Sequence, residues 1–300
     1  MTVTKPSNAK YLSLLGALAS LALGCGDGSG TTDAGNVQIF VEAEDTIPNG
    51  LSAGMGEENI LDGWNVKYSR FVIAIGNFRA SRSDATDKLT APGVYVLDLM
   101  NVPAGGYIVH TWNGVEATRW DRFGFDLPNA GADAKALEPT TDADKALLVD
   151  NKASVYIEGE IDNGTTKKTF KWALPAGTSF DDCADENGLA GFAVPAGGSV
   201  AIKPTIHGDH WFFNSVTAGV ELTERYAQYI ADSDLDMDGE TTIAELQAVK
   251  DADLAKAFPA DKYNLSGVVI ESAYDYVLAQ ARTLGDFQGE GECPTRGELP

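Results

Sequence analysis

Between residues 37 and 213 the chain alternates short apolar stretches with polar turns, a pattern typical of β-structure. The stretches are rich in β-branched and aromatic residues, and Gly, Pro or Asn residues separate them. The predicted strands are 66–75, 94–100, 107–112, 119–127, 154–161, 165–174 and 198–206. The Asp162-Asn163-Gly164 turn predicts a hairpin between the fifth and sixth of them, because Asn-Gly tolerates positive φ. Frequent turns without a helical repeat favour an antiparallel sandwich or barrel.

After residue 214 the apolar positions recur with a helical period. They form three groups, which predict three helices ending before Gly285 and packed on each other or on the sheet. The groups are Val220, Tyr226, Tyr229 and Ile230; Leu246, Val249 and Leu254; and Ile270, Tyr274, Val277 and Ala281. The predicted fold class is therefore mainly β, with an antiparallel β domain over 37–214 and a helical segment over 215–300.

The first 24 residues have the organisation of an export signal. Lys5 and Lys10 precede an apolar run over 11–24, which is too short to span a bilayer as a helix. The run ends in Leu-Ala-Leu-Gly-Cys at 21–25 and resembles the lipobox of a bacterial lipoprotein signal peptide. Ala22 and Leu23 depart from the residue types preferred there, whereas Gly24 and Cys25 fit. An ordinary secretory peptide that contains a cysteine is the alternative.

The lipoprotein resemblance implies cleavage before Cys25, a diacylglycerol on its thiol and an acylated amino terminus. Residue 26 is Gly rather than the Asp of an inner-membrane retention signal, so the resemblance implies an outer-membrane location. Residues 25–36 carry no large side chain and are predicted to form a flexible tether. With Cys25 used for lipid, Cys183 and Cys293 remain as a candidate disulfide in an oxidising compartment, and two free thiols are the alternative.

The chain is strongly acidic, with 44 Asp and Glu residues against 22 Lys and Arg residues and a formal charge of −22. Such a surface repels phosphate backbones, so no nucleic-acid partner is expected. The same charge favours cations.

One acidic segment has the spacing of a calcium loop. Residues 234–245 read DLDMDGETTIAE and resemble the EF-hand pattern D-x-[DN]-x-[DN]-G-x₅-E over all twelve positions. By this resemblance Gly239 makes the sharp turn. The expected calcium ligands are the side chains of Asp234, Asp236 and Asp238, the Glu240 carbonyl, Thr242 directly or through water, and both carboxylate oxygens of Glu245.

The eighth position of this loop is normally apolar and pairs with a second loop, but here it is Thr241, and the chain has no second loop of this type. Cooperative sensing is therefore not expected. We expect a structural role for calcium and an affinity near that of extracellular modules, about 10⁻⁴ to 10⁻³ M. A solvated acidic loop without an ion is the alternative.

Other candidate sites have weaker patterns. His110, His207 and His210 are a possible second metal site for zinc or copper, provided that the folded chain brings them together. Isolated histidines at strand ends are the alternative. Five tryptophans offer a possible glycan-binding face on a surface adhesin, although aromatic residues in strands are more often core. No nucleophile motif or phosphate loop occurs, so no enzyme activity is predicted. The protein or glycan partner of the β region is left open.

Overall fold

The computed structural model describes residues 33–216 and 223–299, which contain sixteen strands, six α-helices and one 3₁₀-helix. The strands are β1 Ala34–Ala43, β2 Asn65–Ser81, β3 Lys88–Asp98, β4 Tyr107–Glu116, β5 Arg119–Trp120, β6 Arg122–Leu127, β7 Lys135–Ala136, β8 Val155–Asp162, β9 Lys167–Leu174, β10 Thr178–Asp181, β11 Phe192–Ala193, β12 Ser199–Ile202, β13 Pro204–Ile206, β14 Glu240–Thr242, β15 Gly285–Phe287 and β16 Thr295–Glu298. The α-helices are α1 Thr46–Asn49, α2 Asp142–Asn151, α3 Gln228–Asp232, α4 Ile243–Ala248, α5 Asp251–Ala257 and α6 Ala273–Ala281, and the 3₁₀-helix is His210–Phe212.

The larger sheet has nine strands, in the order β14-β9-β8-β2-β6-β10-β16, with β3 also paired to β2 and β7 paired to β3. The long strand β2 organises this sheet, because it pairs with β8, β3 and β6 along different parts of its length. Its side chains alternate between buried and exposed up to Arg70 and are then buried continuously from Phe71 to Gly76. Continuous burial is what a strand covered on both faces requires.

The smaller sheet is built on β1, which pairs in parallel with β12 and then with β13, and antiparallel with β4. Strand β15 extends it by pairing with β13. Both sheets are open and contain parallel as well as antiparallel pairs of strands. The wholly antiparallel arrangement that the sequence predicts is therefore wrong. The parallel partners are far apart along the chain, so the local spacing of turns carries no sign of them.

One hydrophobic cluster contains side chains from both sheets and from the C-terminal helices. Phe125 on β6 stacks on Phe180 on β10 with ring centroids 5.1 Å apart, and Phe123 packs on Phe287 of β15 at 4.9 Å. Tyr276 on α6 reaches the same cluster. The two sheets and the helices thus share one core.

The residues after 214 are integrated into both sheets. Strands β14 and β16 pair with β9 and β10 in the larger sheet, and β15 joins the smaller one. Cys183 and Cys293 form a disulfide that ties this part of the chain to the middle of the sequence. Residues 223–299 therefore share both sheets with the preceding β region.

Four helices lie where the sequence predicts three. The second predicted helix is split into α4 and α5, because Val249 and Lys250 between them have extended backbone. Each of α4 and α6 begins with a capping box, formed by Thr242 and Glu245 in α4 and by Ser272 in α6. Val220, predicted to lie in the first helix, falls outside the described residues.

The predicted signal peptide and Cys25 also fall outside the described residues. Strand β1 begins at Ala34, so residues 34–36 of the predicted tether belong to the smaller sheet. None of the helices in the described part of the chain is long and apolar enough to cross a bilayer.

We predict that Phe180→Ala lowers the free energy of unfolding by about 3 to 5 kcal/mol, because it leaves a cavity beside Phe125 in the shared core. Ile108→Ala on β4 is the matched control. That side chain is 54% exposed, and we expect a change within about 0.5 kcal/mol. Urea unfolding of both variants checks the prediction, and equal losses would contradict the position of the core.

Candidate functional site

The acidic loop, defined as residues 234–245, is attached to the edge of the larger sheet. It follows α3, its residues Glu240–Thr242 form β14, and its last three residues begin α4. Strand β14 pairs in parallel with β9, so that Thr241 lies opposite Phe170. The Thr169 N–H donates to the Gly239 carbonyl oxygen at 2.8 Å and extends the pairing by one residue. The loop thus supplies the edge strand of the nine-stranded sheet.

Thr241, the eighth residue of the acidic loop, is fully buried. Its hydroxyl donates to the Ile230 carbonyl oxygen at 2.7 Å, and the Trp172 indole N–H donates to the Thr241 carbonyl oxygen at 2.8 Å. A threonine is stable in this buried place because its hydroxyl and its carbonyl are hydrogen-bonded. In the calcium-loop pattern the eighth position is apolar and pairs with a second loop. Here the eighth residue, Thr241, pairs with a sheet strand instead, which explains why it is polar.

The backbone of the acidic loop folds inward around its first aspartate. Met237 and Gly239 have φ values of 61° and 98°, and glycine adopts such values without a steric penalty. The Gly239 N–H donates to Asp234 Oδ2 at 3.1 Å, and the Asp238 N–H donates to Asp236 Oδ1 at 3.1 Å. These bonds hold the first and third residues of the loop in place.

Three of the predicted calcium ligands meet in the structure. Carboxylate oxygens of Asp234, Asp236 and Glu245 all lie within 4.8 Å of one another. Glu245 is held by donors from both ends of the loop, because Leu235 N–H donates to Oε1 at 2.9 Å and Thr242 N–H to Oε2 at 2.8 Å. The first and last residues of the loop are thereby brought together.

Asp234 has one oxygen with partners and one without. Oδ2 accepts from Gly239 N–H and forms an ion pair with Lys168 of β9. Oδ1 is buried and accepts no hydrogen bond from any part of the chain that the structure describes. Burial by itself would raise the pKa of Asp234, but the hydrogen bonds from Lys168 and the loop backbone lower it below its usual value. A buried, ionised oxygen without a partner is costly unless a cation compensates it.

Two of the other predicted ligands, Asp238 and Thr242, are placed differently. Asp238 Oδ1 accepts from the Glu240 N–H at 2.8 Å, and the Asp238 side chain is outside the three-oxygen group. The Thr242 hydroxyl donates to Glu245 Oε2 at 2.8 Å and accepts from the Glu245 N–H, which makes it the N-cap of α4. The structure thus groups the side chains of Asp234, Asp236 and Glu245 but not those of Asp238 and Thr242.

The donor set of the acidic loop fits a hard divalent cation. All the grouped side chains offer oxygen, which Ca²⁺ prefers, and none offers nitrogen or sulfur. Lys168 neutralises only one of the carboxylates. An ion would bind to the unpartnered Asp234 Oδ1.

Two of the three histidines lie together. Atoms of His207, His210 and Asp286 are within 4.8 Å of one another, and all three residues are buried. His110 is not part of this group. It lies opposite Ile39 on β1, whereas Ile206 lies opposite Ala43, four residues or about 13 Å farther along the strand. The second metal site as first defined, with all three histidines, is therefore not assembled.

Burial sets the pKa values around His207 and His210. It lowers the pKa of His210 to about 3 and raises the pKa of Asp286 to about 7. Burial by itself would lower the pKa of His207, but the charges of Asp286 and Asp209 raise it above its usual value. His210 is therefore neutral at physiological pH.

The tryptophans do not form an exposed aromatic face. All five are at least 93% buried and belong to the shared core, which leaves none available to stack on a sugar: Trp64, Trp112, Trp120, Trp172 and Trp211.

Comparison of the chain with protein-family models, with curated proteins and with solved structures found no match.

We predict that Lys168→Met raises the affinity of the acidic loop for calcium. A single and a double positive charge about 6 Å apart in water repel each other by about 1.4 kcal/mol, which corresponds to about tenfold in affinity. In the presence of a chelator the same change should destabilise the protein, because Asp234 loses its partner.

Lys167→Met is the matched control, since the neighbouring Lys167 pairs with Glu160 on the exposed surface. It should alter calcium affinity and stability much less. Calcium titration and thermal unfolding in chelator measure both quantities. A fall in calcium affinity in Lys168→Met would contradict the placement of the ion beside Asp234.

Proposed function

We propose that this protein is a calcium-binding lipoprotein of the cell envelope, in which one EF-hand-type loop binds calcium for a structural purpose. The ion attaches the C-terminal helices to the edge of the β-sheet. The β region is then the rigid part of the protein and binds a partner that is still to be identified.

The buried Asp234 Oδ1 is the observation that carries this proposal. It has no hydrogen-bond donor in the described residues, and carboxylate oxygens of Asp236 and Glu245 lie within 4.8 Å of an oxygen of the same side chain. Calcium bound there would gain further oxygens from the Glu240 carbonyl and from water, as the resemblance to the EF-hand loop implies.

The structural role follows from what the acidic loop is attached to. Its middle pairs with β9, and its end begins α4, whose C-terminal Val249 carbonyl accepts from the Ala273 N–H of α6 at 3.1 Å. An ion that draws Asp234 and Glu245 together therefore fixes α4 and, through it, α6. A single loop paired with a sheet has no second calcium site with which to cooperate.

The location rests on the resemblance of residues 1–25 to a lipoprotein signal. Two or three acyl chains at Cys25 would hold the protein at the membrane, because each buried CH₂ contributes about 0.8 kcal/mol. The residue after Cys25 favours the outer membrane over the inner one.

We predict that calcium at 10 mM stabilises the protein by about 1.4 to 2.7 kcal/mol relative to chelator, the value for a dissociation constant of about 10⁻⁴ to 10⁻³ M. Glu245→Gln should abolish this increment. The one acceptor oxygen of glutamine can still serve the Thr242 N–H and keep the capping box of α4, so a lost calcium response reports the lost ligand and Leu235 contact and not a lost helix cap.

Asp275→Asn is the matched control for this experiment, because Asp275 occupies the same capping position in α6 without a neighbouring ion site. It should keep the full calcium increment. A wild-type protein with the same unfolding temperature in calcium and in chelator would refute the calcium proposal.

We also predict that Cys25→Ser releases the protein from the membrane fraction and removes its labelling by radioactive palmitate, because no thiol is left for lipid. Gly26→Asp should keep the label and move the protein to the inner membrane. Fractionation of a Gram-negative host expressing each variant measures this. Palmitate labelling that persists in Cys25→Ser would contradict the lipid anchor.

A further inference from the structure

We propose that His207, His210 and Asp286 form a binding site for a zinc-type transition-metal ion, with one coordination position left open to a cleft. This site is separate from the acidic loop and does not depend on the calcium proposal. Its residues come from three elements: the turn after β13, the 3₁₀-helix and β15. The antiparallel pairing of β13 with β15, which places Thr205 opposite Asp286, brings these elements together.

The hydrogen bonds of His210 leave one ring nitrogen ready to bind a metal. Its Nδ1 lies 2.7 Å from Thr283 Oγ1, and the Thr283 hydroxyl donates to the Gln280 carbonyl oxygen at 2.8 Å. A hydroxyl has only one hydrogen, so Thr283 must accept from His210 Nδ1–H. With Nδ1 donating to Thr283, the ring turns its Nε2 to the metal, and a tautomer fixed in this way is the arrangement that a metal-binding histidine requires.

His207 also has a carboxylate on each side of its ring. Nε2 lies 3.2 Å from Asp286 Oδ2 and 3.3 Å from the Gly289 carbonyl oxygen, which a bound metal would replace as its partner, and Nδ1 lies 3.9 Å from Asp209 Oδ1. Asp209 is itself oriented by Arg225, whose Nε donates to Oδ2 at 2.8 Å. Metal-bound histidines commonly present their other nitrogen to a carboxylate. Asp209 Oδ1 lies on that side of His207 but, at 3.9 Å, is beyond hydrogen-bond distance.

Two unpartnered carboxylate oxygens lie beside these histidines. Asp286 Oδ1 and Asp209 Oδ1 are buried and accept no hydrogen bond from residues 33–216 or 223–299. Both residues are at least 95% buried. A buried carboxylate oxygen needs a donor or a cation. A metal bound by Asp286 Oδ1 and the two histidines would directly compensate the charge of this Asp286 oxygen.

The three ligands open onto a cleft of about 520 Å³. Acidic side chains line it and would attract a cation: Glu57, Glu58, Glu224, Glu290 and Glu292. Two imidazoles and one carboxylate form a three-ligand set of the kind that zinc uses when its fourth position holds water. The nitrogen ligands distinguish this site from the all-oxygen acidic loop and select a transition metal over calcium.

The test is zinc binding by the full chain purified without a histidine tag, measured by competition with a chromogenic chelator. We expect one zinc per chain, and cobalt in its place should give the visible absorption of a tetrahedral ion. His210→Ala and Asp286→Asn should each lower zinc affinity at least about a hundredfold. Thr283→Val should lower it by about 10- to 100-fold, and Thr283→Ser should restore it.

His110→Ala is the matched control, because it removes the histidine that lies away from the group, and it should leave zinc affinity within about twofold. Urea unfolding serves as the folding check for every variant, and Glu245→Gln should leave zinc binding unchanged. Wild-type protein that binds no zinc would overturn the proposal. So would an equal loss of affinity in His110→Ala, or unaltered affinity in folded Asp286→Asn.

Discussion

The parallel pairing of β14 with β9 is the interaction on which the C-terminal part of the structure depends. It turns three residues of an acidic loop into the edge strand of a nine-stranded sheet, with Thr241 buried and hydrogen-bonded on both sides. Without this pairing the loop between α3 and α4 would have no fixed place on the sheet edge, although Ile230 and Leu246 would still pack in the shared core. The carboxylates of Asp234 and Glu245 would then lose the scaffold that holds them together.

This arrangement gives the charged residues of the loop two kinds of compensation. Lys168, which belongs to β9, pairs with one oxygen of Asp234, so the sheet itself supplies a positive charge. The other oxygen has no partner in the described residues, and calcium is the compensation that we propose for it. A fold of this kind keeps its acidic loop ordered by the sheet and uses the ion to add stability.

Much of the β-structure could be predicted from the sequence. The Asp162-Asn163-Gly164 turn does join two antiparallel strands, β8 and β9, because the local turn chemistry decides the pairing of neighbours. The pattern of residues did not predict β1, although its side chains alternate between buried and half-buried. It also did not predict the three-residue strands β14 and β15, whose pairing partners lie far away in the chain. The split between α4 and α5 was also missed, because apolar spacing continues across Val249, where the backbone leaves the helix.

The candidate sites show the same limit. The acidic loop could be found because all of its charged residues lie within twelve consecutive positions. Lys168 could not, since it comes from a strand that only the fold brings near. His207 and His210 were visible as a pair, whereas Asp286 reaches them only through the pairing of β13 with β15. His110 looked equivalent in sequence and is placed elsewhere by the register of β1 with β4.

Hydrogen exchange, measured by mass spectrometry with calcium and with chelator, tests the central claim most directly. If calcium fixes the acidic loop on the sheet edge, the amides of residues 167–174 and 228–249 should exchange more slowly when calcium is present, while those of β1 and β4 stay unchanged. Slower exchange of the loop without any change in β9 would contradict the account, as would exchange that calcium does not alter at all.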